Sequence, residues 1–380
     1  MESLASVPPE TRSRAEEAAR KVARLRQLLR REGAAACVLM RVANFAWLSA
    51  GGRSFIPLTA DTGAAWAVVT PERVAVVTSN IEAARLAEEE LAGLGWEVLA
   101  YPWWEGSATA RVRELAGDDA PVLADGPLPG ARDVGGEVAT LRALLGPEEQ
   151  RRAAAVGRET AEALEACCRA LRPGDTEFVV AGRLAQECYG RGLEPVVHLV
   201  AADERAHSRR HPLPTARRVA RYAMVVVCGM RDGLVLSATR LVHFGPVGDD
   251  LRRRWEAAAR VDAEMIAASR PGATAGAILA VAQQAYARAG FPDEWRYHHQ
   301  GGLAGYASRE WRATPGGGEV LAAGQIVAWN PSVAGAKSED TVLIRGTGLP
   351  TVLTATGAWP TATLRTDGGD AVPRPEILVV

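Results

Sequence analysis

Two long apolar runs, YAMVVVCGM and GLVLSATRLVHFG, meet at Arg231-Asp232-Gly233, and this junction constrains the fold more than any other stretch of the chain. Asp-Gly between apolar, β-branched runs is a strong hairpin signal, because a two-residue hairpin turn needs positive φ at its central positions. The chain must therefore build an antiparallel sheet here and cover it. The segments on either side supply the cover. Pro147 followed by Glu148 and Glu149 starts a helix, with proline at the first helical turn and acidic side chains at its positive end. That helix runs to about Leu171 and stops at Pro173-Gly174, after which Asp175 or Thr176 caps a second helix reaching about Gly190. An extended run, Glu194 to Ala201, and a polar loop precede the hairpin. Two more helices, about Asp249 to Ser269 and Ala273 to Ala289, follow it. The last hundred residues read as strands: WRYHH, GQIVAWNPSV, SEDTVLIRG and PTVLTATG. Helices followed by antiparallel strands predict an α+β domain with a curved sheet.

The residues ahead of Gly146-Pro147 have another character. An amphipathic helix from about Pro9 to Glu32 carries Ala15, Ala18, Ala19, Val22, Leu25, Leu28 and Leu29 on one stripe. AAACVLM reads as a buried strand, AAWAVVT and RVAVVTS as a hairpin, and Ile81 to Leu94 as a helix. GWEVLAYPW and APVLAD add strands, with a weak helix over Thr109 to Leu115 between them. A chain of 380 residues exceeds one typical domain. We place the boundary at Gly146-Pro147, giving an N-terminal α/β domain over 1–145 and a second domain over 146–380. No repeat of short period and no low-complexity tract is visible.

With 44 basic and 45 acidic residues the formal net charge is -1, so no overall field draws the chain to nucleic acid or an anionic membrane. The basic stretch Arg209 to Arg218 reads as a loop flank, since no basic-aromatic stripe continues it. Five cysteines without a CxxC spacing suggest neither a disulfide framework nor a structural zinc site. Reduced cytoplasm is expected. The opening segment is charged and helical, so no signal peptide is expected, and no apolar run is long enough to span a bilayer.

Chemistry concentrates between Trp295 and Trp311, WRYHHQGGLAGYASREW, where adjacent histidines, a glycine pair and Arg309-Glu310 crowd together. If WRYHHQ is a strand, His298 and His299 point to opposite faces, with Gln300 beside His298. Alternation on the hairpin puts Val235, Ser237 and Thr239 on one face and Arg240 on the other, where a structural role is expected. Each candidate also has a bland reading. His211 would cap a turn before Pro212, Arg309 and Glu310 would form a surface ion pair, and Cys228 would be an inert buried thiol.

In this order the segments PEEQRRAAAVGRETAEALEA, RPGDTEF, RHPLPT, GLVLSATR, GGLAGYASRE, VAWNP and SEDTVLI resemble the creatinase, aminopeptidase P and prolidase superfamily. The likeness covers about residues 146 to 356, and NFAWLSAGG with AAWAVVTPERVAVVTSNIEAARL is similar to the superfamily's N-terminal domain. The resemblance implies a pita-bread fold for the second domain. It also implies where two metal ions would be held in the peptidases, by two Asp, one His and two Glu. Laid motif on motif, those positions fall near Val227 and on Ser237, Gly302, Asn330 and Glu339, so only Glu339 keeps a carboxylate. Val and Gly offer no ligand, and one carboxylate cannot offset two divalent ions.

The creatinase branch works without metal, and His211 matches the position of its acid-base histidine. On this likeness we expect a metal-independent enzyme without cofactors that cleaves a C–N or adjacent bond of a small amino-acid-derived carboxylate, by hydrolysis or elimination. His211, Glu310 and Glu339 are the expected catalytic groups. His298, His299, Arg309, Asn330 and Ser237 are expected to bind substrate, Arg309 holding a carboxylate bidentately. Two alternatives stand beside it: a non-catalytic pita-bread protein that binds a peptide or partner, and an Xaa-Pro metallopeptidase. The resemblance further implies a homodimer in which Arg53 or Phe55 of one subunit reaches the other's site, Arg53 as a substrate-binding group.

Overall fold

The computed structural model describes residues 9–380 and falls into two compact units, divided between Ala143 and Leu144. Residues 1–8, the start of the segment in which no signal peptide is expected, lie outside the described residues.

In the first unit the Pro9–Glu32 helix buries Ala18, Val22, Leu25, Leu28 and Leu29 of the expected stripe, while Ala15 is half-buried and Ala19 exposed. A six-stranded mixed sheet forms around Ala36–Arg41, which pairs parallel with Val122–Ala124 and antiparallel with Thr62–Val69. The hairpin closes from Val69 to Val74, and Glu97–Tyr101 adds to its far strand in parallel. Val38, Met40, Val68, Val77, Val112 and Val122 meet in one buried cluster. The single helix expected over 81–94 is broken: a short turn, Ala83–Arg85, widens into a π-helical turn, Leu86–Glu90. Glu90 explains the widening, since its buried carboxylate accepts from the Arg53 N–H at 2.8 Å, from Arg53 Nε at 3.0 Å and from Arg85 Nη1 at 3.2 Å.

The second unit is built on the hairpin. Tyr222–Arg231 and Leu234–His243 pair over their full length, with Asp232 and Gly233 at φ of 54° and 77°, as the turn chemistry requires. Glu194–Ala202 pairs antiparallel on one side and Ile377–Val379 parallel on the other. A second sheet runs Gly301–Ala304, Ile326–Trp329, Asp340–Leu343 and Thr351–Val352, antiparallel throughout. The two sheets are stitched edge to edge by Val235 N–H to the Gly305 carbonyl (2.9 Å) and Thr239 N–H to the Glu339 carbonyl (3.1 Å), which makes one curved floor. Helices Pro147–Arg169, Glu177–Tyr189, Asp249–Ala268 and Ala275–Arg288 belong to the same unit.

These helices come in two similar pairs. Each long helix ends at an Arg-Pro-Gly turn, RPGDT or RPGAT, and the next helix is capped by Thr176 or Thr274, each accepting a backbone N–H at 3.2 Å. Each capping threonine also bridges to an extended segment, Thr176 to Arg218 and Thr274 to Val320. The unit is thus a long-period internal repeat, of a kind that a search for short periods passes over.

WRYHH is not the expected strand. Turn bonds from Glu294 N–H to Phe291 and from Arg296 N–H to Asp293 wind Glu294–Tyr297 into a 3-10 turn, and the strand begins only at Gly301.

Candidate functional site

Glu339 stands where the two sheets join, and it is buried. Its Oε2 accepts from Thr239 Oγ1 at 2.7 Å and from Lys337 Nζ at 2.8 Å, while Oε1 faces Arg309 Nη2 at 3.2 Å. The cations that Glu339 holds are therefore the chain's own. Burial alone would raise its pKa, but the Lys337 ammonium and the Arg309 guanidinium outweigh it and hold the carboxyl at about 2. It is a fixed anion and does not exchange protons near neutrality.

Arg309 continues the cluster toward the hairpin. Its Nη1 lies 3.5 Å from Ser237 Oγ, and its buried Nε has no hydrogen-bond partner. Ser237 is paired across the hairpin with Cys228, Oγ to Sγ at 3.1 Å. Burial first, and the Glu339 charge next, push the Cys228 thiol upward, so it is a poor nucleophile. Asn330 follows the Ile326–Trp329 strand, and the pairing of Trp329 with Asp340 puts it across the ladder from Glu339. Its Oδ1 is buried without a partner. Glu310 bonds through its N–H to the Leu303 carbonyl at 2.7 Å, and its carboxylate lies 3.4 Å from where a Cβ on Gly305 would stand.

On the opposite face of the hairpin Arg240 is buried against Asp340 at 3.1 Å and the Thr354 carbonyl at 2.8 Å. Asp340 also takes Arg374 at 2.7 Å, and Arg374 in turn binds Asp262 at 2.6 Å. This is a buried ionic network behind the sheet, and Arg240 is part of it.

The histidines form a second cluster. The 3-10 turn replaces the strand that would have separated His298 from His299, and their rings stack with centroids 4.4 Å apart at 25°. His211 comes from the loop after Ser208 and meets His298 Nε2 to Nε2 at 3.0 Å. Its neighbour Arg210 fixes that approach by an ion pair with Glu294 and a 3.0 Å bond to Ser332 Oγ. Gln300 secures the other side: it donates to the His298 carbonyl and accepts from Tyr286 Oη at 2.7 Å. Burial and then the Lys337 charge push His298 far below the ordinary imidazole range, and burial with Arg309 pushes His299 down to about 4. His211 is lowered by partial burial and then Lys337. All three rings are neutral at pH 7. A cleft of about 300 Å³ opens beside them, walled by Trp295, Tyr297, His298, His299 and Gln300.

The structure thus gathers His211, His298 and His299 in one group and Glu339, Arg309 and Ser237 in another. Arg53 lies in the N-terminal unit, bound to Glu90. Lys337 is the functional residue that motif reading misses. The signal was present, because Lys337 and Glu339 are two apart in an extended run and so share a face.

Residues 151–346, more than half of the chain, match the sequence profile of metallopeptidase family M24. The chain belongs to this family. It is 26% identical to an Xaa-Pro dipeptidase of Lactobacillus helveticus over 274 residues, 67% of this chain and 74% of that protein. Its fold matches the prolidase of Pyrococcus horikoshii with a TM-score of 0.75 at 18% identity, covering 89% of this chain and 98% of that one. A dipeptidase from Mycobacterium ulcerans gives a TM-score of 0.75 at 22% identity, covering 96% and 98%. The second domain is a pita-bread domain, as the sequence motifs imply.

These relatives correct the functional expectation. The family is one of metallopeptidases and the curated relative is an Xaa-Pro dipeptidase, so the metal-independent, creatinase-like reading is not upheld. The family's two-metal centre nevertheless does not fit the residues present. Cys228, not Val227, lies beside Ser237 and its thiol is pushed upward by burial, Gly302 has no donor, Ser237 and Asn330 are neutral, and Glu339 is already occupied by two cations. Nor can a ligand at 302 be restored by side chain alone, because a Cβ there would lie 2.0 Å from the Trp311 carbonyl oxygen. Among the described residues no helix is long and apolar enough to cross a membrane.

Proposed function

We propose that the pita-bread domain binds a dipeptide-sized, carboxylate-bearing peptide, and that peptide hydrolysis, the reaction of its family, is the chemistry the site serves. One observation carries this reading: two buried cations, Arg309 and Lys337, share the single carboxylate of Glu339. Ser237, Thr239 and Asn330 beside them are uncharged, so within this set of contacts two cations face one carboxylate. A buried excess charge is costly and is relieved by an incoming anion. Arg309, with its Nε unpartnered, is the group to receive a carboxylate in the paired geometry that guanidinium favours. His211, exposed and neutral at pH 7, is the proton acceptor of choice, with Glu310 and Asn330 as polar partners to the substrate. The dipeptidase relatives make Xaa-Pro dipeptides the first substrates to try.

Calorimetry with Ala-Pro and with Ala-Pro amide tests the reading, alongside an assay for released amino acids. Charge-assisted hydrogen bonds are worth about 1.5–3 kcal/mol, so the free acid should bind roughly ten- to a hundredfold more tightly than the amide. Arg309→Gln should erase the difference. Equal binding of acid and amide by the native protein would refute the proposal. Gly302, which offers no ligand, favours a second reading, binding without turnover, which a tight complex with no released amino acid would establish.

A further inference from the structure

We propose that His211, His298 and His299 form a mononuclear site for a transition-metal ion of the zinc type, separate from the family's five-ligand centre. One nitrogen from each ring lies within 4.8 Å of the others. The closest pair, His211 and His298, is at 3.0 Å. Around a tetrahedral zinc ion with Zn–N bonds of about 2.0–2.1 Å, ligand nitrogens stand about 3.3 Å apart. Two of the three ligands are therefore nearly in place, and His299 has to close on them. The cost of that movement is small, since His299 Nδ1 gives up only a long, 3.3 Å bond from the Gly301 N–H.

The protein holds these rings together, and the peptide reading gives His298 and His299 no role. His298 is about nine-tenths buried, and its Nδ1 has no hydrogen-bond partner. Among the described residues none of the three rings has a carboxylate partner: Glu294 is taken by Arg210, and Glu339 by Lys337 and Arg309. The segments that carry the rings are clamped to each other by the Arg210–Glu294 pair, the Arg210–Ser332 bond and the Gln300–Tyr286 bond. Three lone-pair donors on a braced frame, with the fourth direction open, is the pattern of a catalytic rather than a structural zinc site.

The donor set also selects the ion. Imidazole suits zinc, copper, nickel and iron, whereas magnesium, calcium and manganese want oxygen. Lys337, Arg210, Arg309 and Arg312 make the surroundings positive, and the three donors are neutral, so the ion needs an anion in its fourth position. Hydroxide, chloride or a peptide carboxylate supplies it. The site goes beyond the peptide reading above: with a metal bound the His211 nitrogen is a ligand and no longer the free proton acceptor of that reading, whereas carboxylate binding at Arg309 is unaffected.

The test is metal binding to the full-length protein after dialysis against a chelator. Titration with cobalt(II) in chloride buffer, followed by its visible absorption, and with zinc(II) by calorimetry should show one ion per chain, with the intense spectrum of tetrahedral cobalt. His211→Ala is the leading variant, because His211 is the exposed member of the three, and circular dichroism checks its fold. Losing a ligand should weaken binding more than ~100-fold, the upper end of what outer-shell changes do. His298→Gln and His299→Ala should do the same, with circular dichroism confirming the fold, and His243→Ala should bind like the native protein. The proposal is overturned if zinc and cobalt do not bind stoichiometrically, if binding survives His211→Ala, or if magnesium or manganese is preferred. Binding of Ala-Pro is measured in parallel. Peptide bound without metal overturns this inference alone, and metal bound without peptide overturns the peptide reading alone.

Discussion

Glu339 shows how a single residue changes role when its neighbours change. In the resemblance it is the one surviving acidic metal ligand; in the structure it neutralises Lys337 and Arg309, whose side chains are 4% and 9% exposed. Glu339→Gln leaves both cations buried without their counter-charge, and breaking such a pair costs about 3–5 kcal/mol. Urea denaturation at pH 7 should show a loss of that size. The effect also has a definite pH dependence. The folded carboxyl titrates at about 2, below its ordinary 4.5, so in this window the unfolded chain binds the extra proton. The stabilisation is complete above the ordinary value and is lost as pH falls from 4.5 toward 2. Native and Glu339→Gln stabilities should therefore converge across that range. A gap that stayed constant down to pH 3 would show that Glu339 acts by shape and not by charge. Glu339 itself was legible from its motif. Lys337 was equally legible from its spacing, but a search for metal ligands has no place for a lysine.

At the scale of elements, the hairpin, the Pro173-Gly174 stop and a cap at Asp175 or Thr176 were readable because each rests on a local rule of turn or cap chemistry. The histidine segment was not. Its apolar and aromatic content fits a strand, and what decides against a strand is remote: Arg210 pulls on Glu294, and Gln300 is anchored to Tyr286. The Ile81 to Leu94 helix failed for a similar reason, since Glu90 is bound by Arg53 and Arg85 from outside its own turn. Gly302 marks the limit of motif matching. Matching finds that a ligand is missing, whereas the structure shows that the backbone has closed over the position, with Trp311 O 2.0 Å from any added Cβ. Gly302→Ala should therefore destabilise the domain by at least the 1–3 kcal/mol typical of overpacking, measured by thermal unfolding. Gly302→His should be no more stable than Gly302→Ala and should bring no second metal ion. A Gly302→His protein that bound two ions per chain would show that the pocket for the family's centre persists.

The molecule as a whole divides its labour between units, and net charge hides this. A balance of -1 over the chain excludes a global field, yet the site in the second unit concentrates arginine and lysine around one acid. Whole-chain composition cannot register such local excess, because distant acidic residues cancel it in the sum but not in space. The first unit has different requirements. Its six-stranded sheet, the Pro9–Glu32 helix and the cluster around Val38, Val68 and Val122 form a core drawn entirely from residues before 144. A chain of that length buries enough of its surface to fold alone, since domains of about 150 residues bury roughly two thirds of what the unfolded chain exposes. A fragment of residues 1–143 should therefore unfold in one cooperative urea transition, with an m value of about 1–3 kcal/mol/M. A broad, shallow transition or strong binding of a hydrophobic dye would mean that this core depends on the second unit for completion. The cooperative outcome would show that the N-terminal unit completes its own core, whereas the members of the histidine and Glu339 clusters all lie after residue 144.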